Sequence, residues 1–577
     1  MMIPRFSIPN ADLQKKLQVG GVAFLLLLVL FSVRPPAACA SASNNVPLDD
    51  WSYGALDKLG GFGLIQSELH GTKPFTRMEM ARLVSEALKN REQNGVTLPP
   101  LMAHFLDRFQ KEYKEELAIF GWGKGELAAA VEFKPIEEAK ARYVYSDGKP
   151  AYFVNFRKGN GQFPKSNSGI IGWGGTPLIY NNEGIAYGEG SNLSLQFSSS
   201  VRLFDVFSGY VEPIFVVREN DRQGGNLDTM SHHVLDGTVG SLGQTDVDLH
   251  KGYAKFSPWN MELEVGRDSL WWGQGYHGSM IMSNNAAPLD MLKISNPETT
   301  LLPWFFKYLG PFKYTIFCAR MEDDFIPSHP LLSGARVTFK PTTWLELGYS
   351  TAFLFEGQGV PGTSFSGYLK QLFGLGAFGQ GNDVDQLAAL DLRLTLPFLW
   401  NAVLYLEYGG EDSGGTEYPE EYLGFGDVGY LTGVYFPKIT PDGKTDFRFE
   451  FAKTATRVDS TPGYWYAHNR YRSGYTHDQM IMGHFIGPDA LDYFARVSHY
   501  LRNDLVIALD YDHIERGLTL SHVVETTNGM GVDATYDLND RWSITVRYAF
   551  DAVSNYNMAR GVDQDNHLFM TTLKFHF

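Results

Sequence analysis

Alternation in the carboxy-terminal third constrains this chain more than any other feature. In residues 541–550, Trp542, Ile544, Val546, Tyr548 and Phe550 share one face, and Arg541, Ser543, Thr545 and Arg547 share the other. Leu505, Ile507, Leu509 and Tyr511 oppose Asp510 and Asp512. Val532, Ala534, Tyr536 and Leu538 oppose Asp533 and Asp537, and the short link Asn539-Asp540 then reverses the chain. Period two of this kind belongs to strands that are wet on one face and apolar on the other. The last strand sets Phe569, Leu573, Phe575 and Phe577 on one face. With nothing after it to cover an open edge, it is expected to close on an earlier strand.

A soluble sandwich alternates too, so the ends of the strands decide. Trp and Tyr at strand ends, with charges on the opposite face, match the interfacial girdles and wet lumen of an outer-membrane barrel. Aromatics make up 14% of the chain and there are 60 Gly, yet mean hydropathy is slightly polar at −0.20. The region from residue 123 to the end has room for roughly 16 to 20 membrane strands. Glycine-rich, acidic stretches at 357–381 and 409–426 lack clean alternation and read as long loops or lumen plugs.

The amino terminus carries Arg5, Lys15 and Lys16, an apolar run from Gly21 to Val33, and small residues ending Ala38-Cys39-Ala40. Residues 1–40 read as a cleaved secretory signal, because the run is shorter than the roughly 20 residues a spanning helix needs. Cys39 as a lipidation site is disfavoured by Pro36. Cleavage leaves Cys318 as one cysteine, which makes no internal disulfide. A net charge of −16 argues against nucleic acid as a partner and against general attraction to acidic polysaccharide.

Residues 41–122 form a separate head. Asp49 or Asp50 can cap a first helix with Trp51, Ala55, Leu56 and Leu59 on one stripe, and Thr76 with Glu79 makes a capping box for a second. Leu101, Phe105, Phe109, Tyr113 and Leu117 recur every four residues in a third. The first two helices resemble one surface-layer-homology repeat through Thr76, Arg77 and Glu79, which implies binding to cell-wall polymer. A packed bundle bracing or plugging a barrel end is the reading preferred here.

One segment, Gly266 to Asp290, mixes residue types suited to a sugar. Trp271 and Trp272 offer stacking faces, Gly273, Gly275 and Gly278 permit close backbone approach, and Tyr276, His277, Asn284 and Asn285 exchange hydrogen bonds. The alternative for the tryptophan pair is an interfacial anchor followed by a tight inward loop. Trp465, Arg470 and Arg472, with Tyr464, Tyr466 and Tyr471, form a second aromatic and basic patch that fits acidic sugars. Asp391 and Arg393 are expected to cross-link the lumen, and His484 to be a satisfied polar residue in a turn. The chain has no nucleophile elbow, zinc-ligand helix or phosphate loop, and the pairing of His277 with Ser279 is weak grounds for a lipase or acyltransferase.

The segment 266–290, the block from Asn382 through Asp391 and Arg393 to Asp412, and the block from Gly474-Tyr475 to Ala490 together resemble, in order, the Wzi family of capsule-assembly proteins. That resemblance implies a barrel of about eighteen strands that binds capsular polysaccharide or exopolysaccharide at the cell surface. The fold class expected is therefore an all-β, antiparallel outer-membrane barrel with a small helical bundle, held in outer-membrane lipid, without catalysis, metal or cofactor. A porin or solute channel is the main alternative, separated from the first reading by whether the lumen is open. A tether between outer membrane and wall is the third.

Overall fold

The structure, a computed structural model, describes residues 42–577 except 96, 123–130, 149–151, 156–168, 221–244, 374–383, 412–426, 456, 459–460, 463–464, 469 and 520. The expected signal at 1–40, Tyr464 and much of the two glycine-rich stretches lie outside the described residues. Eighteen antiparallel strands, from Val131–Ser146 to Gln564–His576, close into one barrel. The last strand pairs on one side with Trp542–Ser554 and on the other with the first, in the register Ala139↔Phe575 and Tyr145↔Phe569. This is the expected closure, and it leaves the sheet without a free edge. The stretch 409–426 is not all loop: Gly409 and Gly410 belong to the strand Ala402–Glu411.

Alternation sorts the strand faces as expected. Leu509, Val546 and Tyr548 point outward and are exposed, whereas Asp510 and Asp512 are buried on the lumen side. Inside, Arg496 and Arg547 lie 2.9 and 2.7 Å from Asp510, and both also pair with Asp533. Charges on the inner wall of a filled barrel must be paired, because an isolated buried charge is expensive. Links at one end are mostly short, such as those between Leu203 and Phe207 or Arg502 and Leu505, with residues 296–310 the longer one there, and the longest segments gather at the other end. Exposed Trp259, Trp304, Trp344 and Trp400 ring the short-link end, matching an interfacial girdle.

The head closes that same end. Its helices are Trp51–Gly61, Arg77–Asn94, Pro100–Glu112 and Lys114–Ile119, the expected third helix being broken at Tyr113. All five residues of the third stripe are buried together with the first two helices' apolar faces. Of the two possible first caps Asp50 is used, accepting the Ser52 N–H at 2.8 Å. Thr76 accepts the Glu79 N–H at 3.1 Å, but the Glu79 carboxylate turns to Arg82, so the capping box is half formed. Arg77 pairs with Glu116 at 2.6 Å. All three residues of the surface-layer-like signature are thus engaged inside the head.

Ion pairs bind the head to the barrel wall. Asp57 lies between Arg393 at 3.4 Å and Arg448 at 3.2 Å, Lys58 meets Asp446 at 2.7 Å, and Arg108 meets Asp537 at 2.6 Å. Arg393 therefore reaches the head, whereas Asp391 cross-links the wall as expected, through Arg336 at 2.8 Å.

Candidate functional site

Three segments, at 174–188, 269–288 and 465–489, run inside the barrel from its long-segment end and pack on one another. Most apolar residues of 269–288 and 465–489 share one buried cluster with inward residues of the strands, joined from 174–188 by Ala186 and Tyr180, while Leu178, Ile179 and Tyr187 belong to a second cluster. The segment 269–288 is held by carboxylates on the inner wall, among them Glu407 directly across from Asp391 and Glu346 directly across from Arg393. Glu407 accepts the N–H groups of Gln274, Gly275 and Met280 at 2.7–2.8 Å. Glu450 accepts those of Tyr276 and His277 at 2.6 and 2.9 Å. Glu346 takes the side-chain amide of Gln274 and, at 3.0 and 2.9 Å, the N–H groups of His70 and Gly71 from the head. A turn of irregular backbone in a filled lumen leaves donors without secondary-structure partners, and these acids satisfy them with charge-assisted bonds.

The tryptophan pair is neither an interfacial anchor nor an open stacking platform. Trp271 and Trp272 pair with Lys73 and Thr72 of the head connection as a two-residue ladder, and Trp272 is 1% exposed. Its ring meets Phe317 edge-on at 5.3 Å and lies against Gly334 on the wall. Trp465 is wholly buried, flat against Gly409 and Gly429, which face each other across two strands. A Cβ at Gly409 or Gly429 would stand 3.0 or 3.1 Å from the Trp465 ring, so small wall residues make room for large plug residues. The close approach permitted by glycine serves the protein itself: a Cβ at Gly278 would strike His484 at 2.3 Å.

The other candidates separate. Asn285 donates to the Ile481 carbonyl at 3.0 Å, and Asn284 gives its carbonyl to the Glu183 N–H at 2.6 Å, so both join plug segments together. Trp465 lies inside, while Arg470 is half-buried and Arg472 exposed on the outer side, its N–H bonded to the Ile326 carbonyl at 2.8 Å. The expected aromatic and arginine patch is thereby split, because its rings pack inward. His484 is buried, its N–H on the Tyr466 hydroxyl at 2.8 Å. Burial, with His277 nearby, holds its imidazole well below the usual histidine range, consistent with a structural role.

Tyr276, His277 and Asn284 do converge, on a cavity of about 300 Å³ between the plug, the head and the last strands. Arg142, Tyr180, Arg496 and Arg547 share its lining. Tyr276 is 45% exposed to it, with Arg448 over its ring at 4.3 Å. Burial opposes charge on His277, but Asp512, 3.0 Å away, outweighs it and raises the imidazole to about 9. The site therefore joins an open phenol ring, amide groups and arginines paired with Asp510 in one recess, a set that suits polyhydroxylated ligands. Ser279 gives its hydroxyl to the Trp272 carbonyl and lies 3.2 Å from Glu407, so it makes no nucleophile–base pair with His277.

Sequence reasoning missed Glu346, Glu407 and Glu450. Their signal is an acid flanked in sequence by apolar residues, as in Phe449-Glu450-Phe451.

Comparison with known proteins agrees with this architecture. The profile of the family described as "Capsule assembly protein Wzi" matches residues 161–568. A Klebsiella pneumoniae protein described as an uncharacterized 55.8 kDa protein in the cps region is 34% identical over 172 residues. That match spans 28% of this chain and 33% of the relative's length. The solved structure of Escherichia coli Wzi, described as an outer-membrane protein involved in group 1 capsule assembly and a carbohydrate-binding β-barrel, superposes with a TM-score of 0.63. It is 18% identical, and the superposition covers 94% of this chain and all of that one, a likeness of fold.

Proposed function

Since this chain belongs to the Wzi family of capsule-assembly proteins, we propose that it is an outer-membrane, polysaccharide-binding barrel that attaches or organises capsular polysaccharide or exopolysaccharide at the cell surface. One observation carries the choice of a binding protein over a channel. Among the described residues the lumen is crossed by three packed segments, and the head is ion-paired across the short-link end. A diffusing solute meets a core there instead of a water column.

In this reading the long-segment end faces outward and the head faces the periplasm. The support is the arrangement general to bacterial outer-membrane barrels, short turns on the periplasmic side and long loops outside. Arg472, exposed on the outer side, serves first contact with an acidic polymer, and Tyr276 with His277 and Asn284 serves a sugar unit that reaches the inner cavity. Trp271, Trp272 and Trp465 act by holding the plug. The head acts as a brace, since Thr76, Arg77 and Glu79 are used within it.

The test is binding of the purified protein to fractionated surface polymer of its own host, together with polymer retention by cells lacking the gene. Arg472→Ala and Tyr276→Ala should each weaken binding, on the order of tenfold if one charged or stacking contact is lost. Absence of affinity in the intact protein, with retention unchanged by deletion, would sink the reading.

A further inference from the structure

We propose that His277, Asp492 and Asp512 form a site for one divalent transition-metal ion of the zinc or manganese class, inside the barrel beside the plug. One nitrogen and two carboxylate oxygens from these residues lie within 4.8 Å of one another. The His277 Nε2 is 3.0 Å from Asp512 Oδ1.

The two acids belong to adjacent strands, where Asp492 pairs with Ile514 and Asp512 with Phe494. They are diagonal neighbours on one inward face, so their carboxylates reach toward the same space. Asp492 is 1% exposed and its Oδ1 has no hydrogen-bond partner, while the Asp512 Oδ1 faces the His277 Nε2 at 3.0 Å. A buried oxygen such as the Asp492 Oδ1 is rare in folded proteins and points to a missing partner. The neighbouring arginines do not supply it, since Arg496 and Arg547 are engaged with Asp510 and Asp533. That leaves two buried carboxylates facing a single imidazole.

His277 is held as a ligand must be. Its ring stacks on Phe494 at 3.8 Å with planes 8° apart and meets Phe485 edge-on at 4.8 Å. Its backbone N–H donates to Glu450 at 2.9 Å, and its backbone carbonyl accepts from the Asn181 side chain at 2.7 Å. The imidazole therefore cannot swing away from the two acids.

The donor set selects the metal. Calcium and magnesium take oxygen ligands throughout, whereas one imidazole with two carboxylates suits zinc or manganese. Three protein ligands leave a coordination position open, and His277 and Phe494 also wall the 300 Å³ cavity into which it would face. Two other histidine and acid groupings lack these features. Asp57, grouped with Glu68 and His70, is neutralised by Arg393 and Arg448, and Asp478, grouped with Glu322 and His477, is exposed.

The experiment strips purified, untagged full-length protein in detergent with a chelator and dialyses it against zinc chloride, manganese chloride or calcium chloride. Bound metal is then measured by mass spectrometry after desalting. Zinc or manganese at about one per chain is expected in the native sequence, with calcium not retained. Loss of the zinc is expected in Asp492→Asn and in His277→Gln, while Glu322→Gln keeps it. No retained transition metal in the native sequence, retention of calcium alone, or full zinc in Asp492→Asn overturns the proposal. Should the variants fail to fold, anomalous diffraction from a zinc-soaked crystal of the native protein decides: a peak at His277 Nε2 upholds it, and its absence overturns it. Metal content is read without polymer, so this result and that of the polysaccharide reading are independent.

Discussion

Trp465→Ala should open the lumen while leaving the barrel standing. A fully buried tryptophan removes about 150–250 Å² from water, worth about 4–6 kcal/mol at about 25 cal/mol per Å². The alanine recovers little of this, because the flat floor of Gly409 and Gly429 cannot rise to fill the space. Large-to-small replacements of this kind cost about 3–5 kcal/mol. The loss falls on the docking of the plug, since the strand ladders of the barrel do not pass through Trp465. About 4 kcal/mol is a factor of about a thousand in the equilibrium between seated and released plug. In planar bilayers the native protein should show a quiet baseline and Trp465→Ala frequent openings, with new protease cleavage confined to the plug segments. Unchanged heat-modifiable mobility on gels would show that the barrel has survived. A correctly folded variant as quiet and as protease-resistant as the native protein would refute the argument that the Trp465 contact seats the plug.

Other perturbations probe the head and the wall. Asp57→Asn leaves Arg393 and Arg448 facing each other without their shared acid, so head docking should weaken by about 3 kcal/mol, and limited proteolysis should release the head sooner; unaltered release would remove Asp57 from that role. Gly409→Val brings a side chain against the Trp465 ring and the Ala388 carbonyl, 2.9 Å from where its Cβ would stand, and should mimic the opening of Trp465→Ala; a silent variant would count against the close wall contact. The stability of the head should also depend on pH. Burial, then Asp57, pushes the Glu68 carboxyl up to about 7, and burial, then Asp50, does the same to Glu112. The folded head thus binds these protons more tightly than the unfolded chain, with a reference value of 4.5 for glutamate. Their stabilising contribution is complete below about 4.5 and is lost as pH rises through about 7. Protease cleavage within the head should therefore quicken between pH 5 and 8, and the double variant Glu68→Gln with Glu112→Gln should flatten that rise; an equally steep profile in the variant would exclude these two groups as its source.

Much of the fold was legible because its determinants repeat over short distances. Two-residue periodicity placed Leu509 and Tyr548 outward and Asp510 inward, and four-residue spacing placed Phe105 and Phe109 in the head's core. The terminal strand implied closure, since a free edge in lipid leaves backbone groups unsatisfied. The site was less legible, because residue type alone does not say what lies on the other side of a side chain. Trp271, Trp272 and Trp465 have the chemistry of sugar platforms, yet the wall glycines at 334, 409 and 429 turn them into core. Tyr276 has the same chemistry, and its ring remains open to the cavity.

The amino-acid sequence by itself determined the strand faces, the helical head and the closed, girdled barrel, since each follows from periodicity within a few residues. Only the tertiary structure decided that the lumen is filled and that Glu407 and Glu450 cradle the segment 266–290. It alone brought His277 beside Asp492 and Asp512, more than 200 positions away in the chain. The physical reason is register around a closed ring: which inward side chains meet across the lumen depends on how eighteen strands stagger and close, and no local pattern in the chain carries that information.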